Sequence, residues 1–99
     1  MYDVYFSSEA ESDLREATEW YEEQRIGLGQ DFVSYLDTSL HMLQKNPKLY
    51  QVLYKNIRSV LIKKYPYCIF YNIEEEKKEI HIFALLHTKR NPEIWLNRM

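Results

Sequence analysis

His87 is the residue of this chain best suited to proton transfer, and two cations, Lys89 and Arg90, follow it closely. An unperturbed histidine has a pKa near 6.5, so it can donate or accept a proton at neutral pH. Neighbouring cations would stabilise the extra negative charge that forms on a phosphate under attack. A histidine at the end of a strand can also serve only as a hydrogen-bonding residue, and both interpretations stay open.

Arg58 is the best candidate for holding a phosphate. The planar guanidinium of arginine can bind a phosphate through two parallel hydrogen bonds. Lys63 and Lys64 lie a few residues further on, next to a turn. The alternatives are an ordinary salt-bridged strand residue for Arg58 and solvating charges for the two lysines.

A metal site is not expected. His81 and His87 fall on one face of the strand predicted around them, but six residues of strand separate them by about 20 Å. His41 lies in a predicted helix, and Cys68 is the only cysteine, so it has no second thiol. Cys68 is predicted to be a small buried hydrophobic residue, and we expect neither a metal nor a cofactor.

The first half of the chain predicts a strand and two helices. Residues 2–6 are aromatic and β-branched, as in a strand. Ser8 and Glu11 fit a capping box, which predicts a helix over residues 9–24. Helical spacing resumes after a glycine joint and predicts a second helix that ends near residue 46, because Pro47 follows. The apolar residues that carry these two helical patterns are Ala10, Leu14, Ala17 and Tyr21, then Phe32, Leu36, Leu40 and Leu43.

The second half predicts three sequential strands, over residues 57–63, 67–73 and 79–87. In the last of these, Ile80, Ile82, Ala84 and Leu86 alternate with the other residues, which predicts one face for all four. The element order is then β-α-α-β-β-β. The predicted fold class is α+β, with a helical hairpin packed on one face of a small, mostly antiparallel twisted sheet. From residue 91 onward we expect a short turn or helix whose Trp95 packs back on the body.

The composition predicts one globular domain over residues 1–99, since 45% of the 99 residues are hydrophobic. The net charge of −2 divides unevenly. Residues 1–50 have ten acidic and four basic side chains, a net of −6, whereas residues 51–99 have five acidic and nine basic ones, a net of +4. Attraction to a polyanion would therefore come from the second half. We see no signal peptide or membrane segment and expect the cytoplasm.

Several spaced motifs occur in the order found in the RelE/ParE toxin superfamily, and the chain leans toward its ParE-like branch. The first helix resembles the family's Ala-x3-Leu-x-Glu-x3-Trp-Tyr pattern, and the residues after it resemble its Gly-Leu-Gly-x2-Phe joint. Asn46-Pro47 closes the second helix in a similar way. The later matches are Ile57-Arg58, Tyr65-Pro66-Tyr67 with Phe70-Tyr71, and a last run of Leu86-His87, Arg90, Pro92, Trp95 and Arg98.

This resemblance implies a toxin of a type II toxin–antitoxin (plasmid stabilisation) system, neutralised by a cognate antitoxin. The target would be DNA gyrase for a growth inhibitor of the ParE kind, or the ribosome for a RelE-like mRNA endoribonuclease. A non-toxic binding module with the same fold is a third possibility. The acidic total charge favours the inhibitor. Catalytic candidates, for the ribonuclease only, are His87, Arg58 and Arg90. The candidate target-binding or nucleic-acid-binding cations are Arg58, Lys63, Lys64, Lys89, Arg90 and Arg98.

Overall fold

The computed structural model describes residues 1–98 as a helical hairpin on a mixed sheet. The helices are α1 (Ser8–Gln24), α2 (Leu28–Lys45) and a short C-terminal α3 (Glu93–Leu96), and a 3-10 turn spans Pro47–Leu49. The strands are β1 (Asp3–Phe6), β2 (Val52–Tyr54), β3 (Ile57–Leu61), β4 (Tyr67–Glu74) and β5 (Glu79–His87). The predicted α+β class is confirmed, as are the two helices and the four predicted strands. Within residues 1–98, no helix combines the length and apolar character of a membrane span.

Helix α1 begins one residue earlier than the capping box predicts. Ser7, not Ser8, is the N-cap, and its Oγ accepts the Ala10 N–H at 3.1 Å. The Ser7 N–H donates to the Ile82 carbonyl at 2.9 Å, so β5 holds Ser7 in extended backbone and the helix begins directly after it. The capping role therefore falls on the last residue that the sheet still holds.

Glu22 caps α2 from the preceding helix. Gly27, with a positive φ of 92°, is the N-cap of α2 and has no side chain that could accept a hydrogen bond. The Glu22 carboxylate instead accepts the N–H groups of Gly27 and Gly29 at 3.0 to 3.1 Å. A Cβ at Gly29 would lie 2.9 Å from the Thr18 carbonyl oxygen, so the glycine allows the two helices to approach closely.

The five-stranded sheet has the order β1-β5-β4-β3-β2. β1 is parallel to β5, and the other neighbours are antiparallel. The sequence analysis missed β2, whose three residues are all exposed and therefore have no alternating pattern. β2 pairs irregularly with the start of β3 alone, at Ile57 and Arg58.

A bulge in β5 overturns the simple alternation expected for that strand. Tyr71 pairs with Ile82 whereas Phe70 pairs with Ala84, so Phe83 is an extra residue without a partner in β4. Beyond this extra residue, each side chain of β5 lies on the opposite face of the sheet from the one that unbroken alternation predicts. Ile80 and Ile82 share the helix-side core with Leu85, whereas Ala84 and Leu86 belong to the cluster on the other face.

The two faces of the sheet are covered differently. The helical hairpin covers one face, and the main core there is formed by buried side chains of α1, α2, β4, β5 and the connection between β3 and β4. On the other face, a small cluster around Phe70, Ala84 and Leu86 packs against Ile94 and Trp95. The Trp95 ring stacks on Phe70 with a centroid distance of 5.3 Å, which confirms that Trp95 packs back on the body.

Candidate functional site

A cleft of about 190 Å³ lies between α1 and the end of β5, and we call it the α1–β5 cleft. Its residues are Asp13, Glu16, Ala17, Trp20, Tyr67, Leu85, Leu86, His87 and Arg90. Four of these residues belong to α1, and their spacing of three, one and three positions places them on one face of the helix. They are Asp13, Glu16, Ala17 and Trp20. Trp20 is 54% exposed, which is unusual for so large an apolar side chain.

His87 reaches this cleft because of the β5 bulge. Residues two apart in a strand share a face, so His87 lies on the same side as Leu85, toward α1. Its ring packs edge to face with Tyr67 at a centroid distance of 5.4 Å. His81 precedes the bulge, lies on the opposite face and stacks with Tyr5 instead. The expectation that the two histidines share a face was therefore wrong, because it assumed an unbroken strand.

The Lys89 backbone N–H fixes the hydrogen-bonding role of His87. This N–H donates to Nδ1 of His87 at 3.0 Å. A neutral ring must then have its proton on Nε2, so Nε2 is a donor and Nδ1 is an acceptor already in use. In this form His87 can donate a hydrogen bond but has no free acceptor for a proton.

Asp13 connects the bulge to the C-terminal segment. Its Oδ2 accepts the Leu85 N–H at 3.0 Å and a hydrogen bond from Nη1 of Arg98 at 2.6 Å, and its Oδ1 accepts one from Nη2 at 3.1 Å. Nη1 of Arg98 also donates to the carbonyl of the bulged Phe83 at 3.1 Å. The Asp13 side chain is only 10% exposed, and its hydrogen bonds raise the pKa of Arg98. Arg98 thus forms a bidentate ion pair inside the protein.

Arg58 lies away from the cleft, near the other end of the sheet. Its Nη1 donates to the carbonyl oxygens of Lys48 at 3.0 Å and Tyr50 at 2.6 Å, which ties β3 to the segment after α2. The adjoining depression, of about 210 Å³, also contains Lys48, Lys55 and Glu75. Arg58 and His87 are therefore in separate sites.

Lys64 forms an ion pair where α2 packs near the segment between β3 and β4. Its Nζ binds Oδ2 of Asp31 at 2.6 Å, and the Tyr65 hydroxyl donates to the same oxygen at 2.6 Å. These hydrogen bonds hold the pKa of Asp31 below its usual value. Burial, together with the bond to Asp31, raises the pKa of Tyr65 to about 12. Lys63, in contrast, is exposed and lines a groove beside α2.

Of the predicted site residues, the structure brings His87 and Arg90 together in the α1–β5 cleft, and the exposed Lys89 lies between them in the chain. Arg58, Lys63 and Lys64 lie elsewhere. Sequence reasoning did not single out Asp13 or Tyr67 as site residues. The sequence signal that could have identified Asp13 is the spacing of Asp13, Glu16, Ala17 and Trp20. This spacing places two carboxylates and an aromatic ring on one face of α1.

Within residues 1–98, no three histidine, cysteine or acidic side chains converge in a way that could hold a metal ion. Cys68 packs against the small cluster around Phe70, and partial burial raises the pKa of its thiol. Cys68 is therefore a small residue in hydrophobic contact, as predicted, but it is half-buried rather than buried.

Solved structures with the same fold include proteins from three bacteria. The chromosomal ParDE toxin–antitoxin system of P. aeruginosa matches with a TM-score of 0.75 and 15% identity, over 88% of this chain and 96% of that one. The isolated E. coli RelE toxin matches with a TM-score of 0.69 and 14% identity, over 98% and 95%. The RelBE2 toxin–antitoxin complex of Mycobacterium tuberculosis matches with 0.63 and 18%, over 87% and 96%. At these identities the likeness establishes the fold.

The family comparison is more specific than the structural one. A comparison with curated protein sequences gave no match. The family model described as the ParE toxin of the type II toxin–antitoxin system parDE matches residues 4–92, which include both helices of the hairpin, the five strands except for the first residue of β1, and the whole α1–β5 cleft. The chain therefore belongs to the ParE toxin family of type II toxin–antitoxin systems.

Proposed function

We propose that this toxin inhibits growth by binding DNA gyrase through the α1–β5 cleft, that a cognate antitoxin neutralises it, and that it acts in the cytoplasm. The observation that carries the proposal is the makeup of the cleft. It presents the exposed Trp20 beside Arg90, with the exposed carboxylate of Glu16. Tryptophan and arginine are the side chains that most often dominate protein–protein binding energy. Carboxylates, by contrast, repel nucleic acid.

The state of the predicted cations also favours a protein target. Binding of nucleic acid strengthens with the number of cations that contact phosphates. Arg98 is paired with Asp13 and Lys64 with Asp31, and Arg58 donates to two backbone carbonyls. Half of the six candidate cations thus have internal partners, which leaves little positive charge for an RNA strand.

A RelE-like ribonuclease is the second candidate, and one observation favours it. His87, Arg90 and Tyr67 line a single cleft, so a proton donor, a cation and a phenol are close together. However, the hydrogen bond from Lys89 to Nδ1 leaves His87 as a donor alone, and a nuclease also needs a base to activate the 2′-hydroxyl. A non-toxic binding module with this fold is the third candidate.

The antitoxin is the partner that the family implies, and the acidic surface of α1 suggests how part of it binds. Glu16, Glu19 and Glu23 are exposed on this helix, so a basic segment of an antitoxin would find complementary charge there. Reversing these three charges is expected to weaken the complex. An unchanged complex would contradict this mode of contact.

The test is induced expression without antitoxin, with translation and DNA supercoiling followed separately in the same cells. We expect supercoiling to fail, or DNA breaks to appear, while translation continues. An early stop of translation with cleaved mRNA would instead support the ribonuclease, and His87→Ala and Arg58→Ala would then be the informative variants. Unchanged growth would contradict both toxic mechanisms and would support the non-toxic binding module.

A further inference from the structure

Three side chains of the α1–β5 cleft that can donate hydrogen bonds lie next to one another. Tyr67 and His87 are partners in the register of β4 and β5, and their rings pack edge to face with a centroid distance of 5.4 Å. The Arg90 N–H donates to the His87 carbonyl at 2.9 Å, so the turn after β5 keeps Arg90 beside the histidine. The end of β5 thus brings a phenol, an imidazole and a guanidinium to one cleft.

The imidazole and the guanidinium can only donate to a ligand. Nδ1 of the neutral His87 ring already accepts the Lys89 N–H, which leaves the Nε2 N–H for the cleft. A guanidinium has five N–H donors and no acceptor. Within residues 1–98, neither Nε2 of His87 nor the Arg90 guanidinium has a hydrogen-bond or ion-pair partner. Both groups are therefore available to an acceptor from outside the chain.

The Tyr67 hydroxyl is the third donor. Phe32 and Tyr21 pack against its ring, with centroid distances of 5.2 and 6.0 Å. Burial raises the pKa of Tyr67, and the positive charge of Arg90 opposes this rise, as expected for a guanidinium near the phenol. The hydroxyl therefore keeps its proton at neutral pH and can donate it in a hydrogen bond.

The cleft has few acceptors of its own for these donors. The Asp13 carboxylate is already engaged, because it accepts the Leu85 N–H and two hydrogen bonds from Arg98. Glu16 is the other acidic residue of the lining, and its exposed side chain has no ion-pair partner in the described part of the chain. A ligand that fits must bring an acceptor, and a negative charge would complement the guanidinium.

A single carboxylate fits this cleft better than a polynucleotide does. Its two oxygens can accept two N–H groups of the guanidinium fork at once. The volume of about 190 Å³ is below the roughly 300 to 1,000 Å³ of small-molecule pockets, and it suits one side chain. The Glu16 carboxylate would repel the neighbouring phosphates of a nucleic acid strand, whereas a protein segment can place one acidic residue among neutral ones.

We infer that the α1–β5 cleft recognises an acidic side chain of gyrase, an aspartate or a glutamate, whose carboxylate accepts hydrogen bonds from Arg90, His87 and Tyr67. This inference rests on the proposed binding of gyrase and names the chemical group that the cleft recognises. Trp20, which lines the same cleft and is 54% exposed, packs on the apolar part of the same gyrase segment.

Matched variants test the donors through supercoiling of a relaxed plasmid by purified gyrase, titrated with purified toxin. Tyr67→Phe removes only the hydroxyl and keeps the packed ring, and Arg90→Gln changes an exposed residue, so both variants keep the core. Each should require at least about tenfold more protein for half inhibition, the effect of losing a hydrogen bond to a charged group. Tyr54→Phe and Arg15→Gln change an exposed tyrosine and an exposed arginine outside the cleft and should match wild type.

Carbodiimide coupling tests whether the group bound in the cleft is a carboxylate. The reagent activates a carboxylate, which then forms an amide with an amine in contact with it. Arg90→Lys places such an amine where the guanidinium was. We expect this variant to become linked through residue 90 to an aspartate or glutamate of gyrase, which mass spectrometry of the linked peptides identifies. Arg15→Lys is the matched control and should give no link through residue 15.

The linked gyrase residue then permits a double-mutant cycle. Its replacement by asparagine or glutamine should make gyrase at least about tenfold less sensitive to wild-type toxin. The same gyrase variant should show little further loss of sensitivity to Arg90→Gln, because the two groups form one interaction.

Loss of potency in Tyr67→Phe and Arg90→Gln, together with a gyrase carboxylate linked to residue 90, supports the inference. Wild-type potency of both variants and no link through residue 90, while wild type still inhibits gyrase, overturns the recognition of a carboxylate and leaves the proposed function intact. If wild type leaves gyrase active and cleaves mRNA on ribosomes, the donors serve a phosphate, and the proposed function and this inference both fail.

Discussion

The carboxylate of Asp13 accepts hydrogen bonds from three donors that belong to two distant parts of the chain. One is the Leu85 N–H beyond the bulge of β5, and the other two are on the Arg98 guanidinium. The side chains of Asp13 and Arg98 are both largely buried, so neither can exchange its partner for water at low cost. The geometry of the α1–β5 cleft therefore depends on an aspartate that makes its contacts behind the cleft wall.

Asp13→Ala is expected to lower the free energy of unfolding by about 2 to 3 kcal/mol, because it leaves a guanidinium and a backbone N–H unpaired. Urea denaturation measures this directly. Glu11→Ala is the matched control, since Glu11 is an exposed acid of the same helix and such surface changes stay within about 0.5 kcal/mol. Equal stabilities of the two variants would show that the Asp13 network contributes little.

At the residue level, the sequence predicted which side chains carry charge but not which of them are free. Lys64 and Arg98 were both candidates for a binding surface. Their partners, Asp31 and Asp13, are 33 and 85 residues away in the chain. Whether a cation is paired depends on how distant segments come together, and a local motif does not contain that information. His87 and Arg90 could be predicted as neighbours because only two residues separate them.

Elements were easier to predict than the details at their ends. Helical periodicity placed α1 and α2 to within a few residues, since each has a long amphipathic face that must be buried. The bulge at Phe83 could not be predicted, because every residue from Ile82 to Leu86 is apolar and both faces of β5 are covered there. With no polar residue to mark the outer face, the phase of the strand cannot be read from the pattern.

The position of the α1 cap gives an element-scale prediction. Ser7→Ala removes the acceptor of the Ala10 N–H and is expected to cost about 1 kcal/mol of stability, as other N-cap serines do. Ser8→Ala changes the neighbouring serine inside the first turn and is expected to be close to neutral. Thermal or urea unfolding of the two variants compares them. A larger loss for Ser8→Ala would mean that the helix begins where the capping box predicted.

Across the whole molecule, Glu75 joins three parts of the chain that are remote in sequence. Its carboxylate binds Lys78 at 2.9 Å, the Tyr2 hydroxyl at 2.8 Å and Lys48 at 3.1 Å. The hydrogen bond from Lys78, followed by those from Tyr2 and Lys48, lowers the pKa of Glu75 from 4.5 to about 2. The turn between β4 and β5 is thereby linked to the N-terminus and to the segment after α2.

This lowered pKa predicts a specific dependence of stability on pH. A carboxyl whose pKa is depressed in the folded state stabilises it above the unfolded pKa, and that contribution disappears as the pH falls toward the folded pKa. The stability difference between wild type and Glu75→Gln should therefore be constant above about pH 5 and shrink between pH 4.5 and about 2. Denaturation at a series of pH values measures it. Glu76→Gln, a neighbour in the same turn, is the control, and an identical profile for both variants would contradict the assignment.

The division of charge between the two halves of the chain becomes a division of surface in the fold. The acidic half forms the helical hairpin, and the basic half forms the sheet from β2 to β5. The α1–β5 cleft combines the acids of α1 with Arg90, whereas the unpartnered edge beside β3 is basic and apolar. The α1–β5 cleft is the surface that we propose for the target, and it borders the acidic face of α1 that we propose for a basic antitoxin segment.

The most direct test of the central claim is supercoiling of a relaxed plasmid by purified DNA gyrase in the presence of this purified toxin. We expect wild type to block supercoiling. Trp20→Ala should be at least about tenfold less potent, as expected for an aromatic residue that anchors an interface. Ile26→Ala should match wild type, because Ile26 is 91% exposed and lies outside the cleft. Undiminished supercoiling with excess wild-type toxin would contradict the account. Equal inhibition by all three proteins would place the gyrase-binding surface away from the α1–β5 cleft.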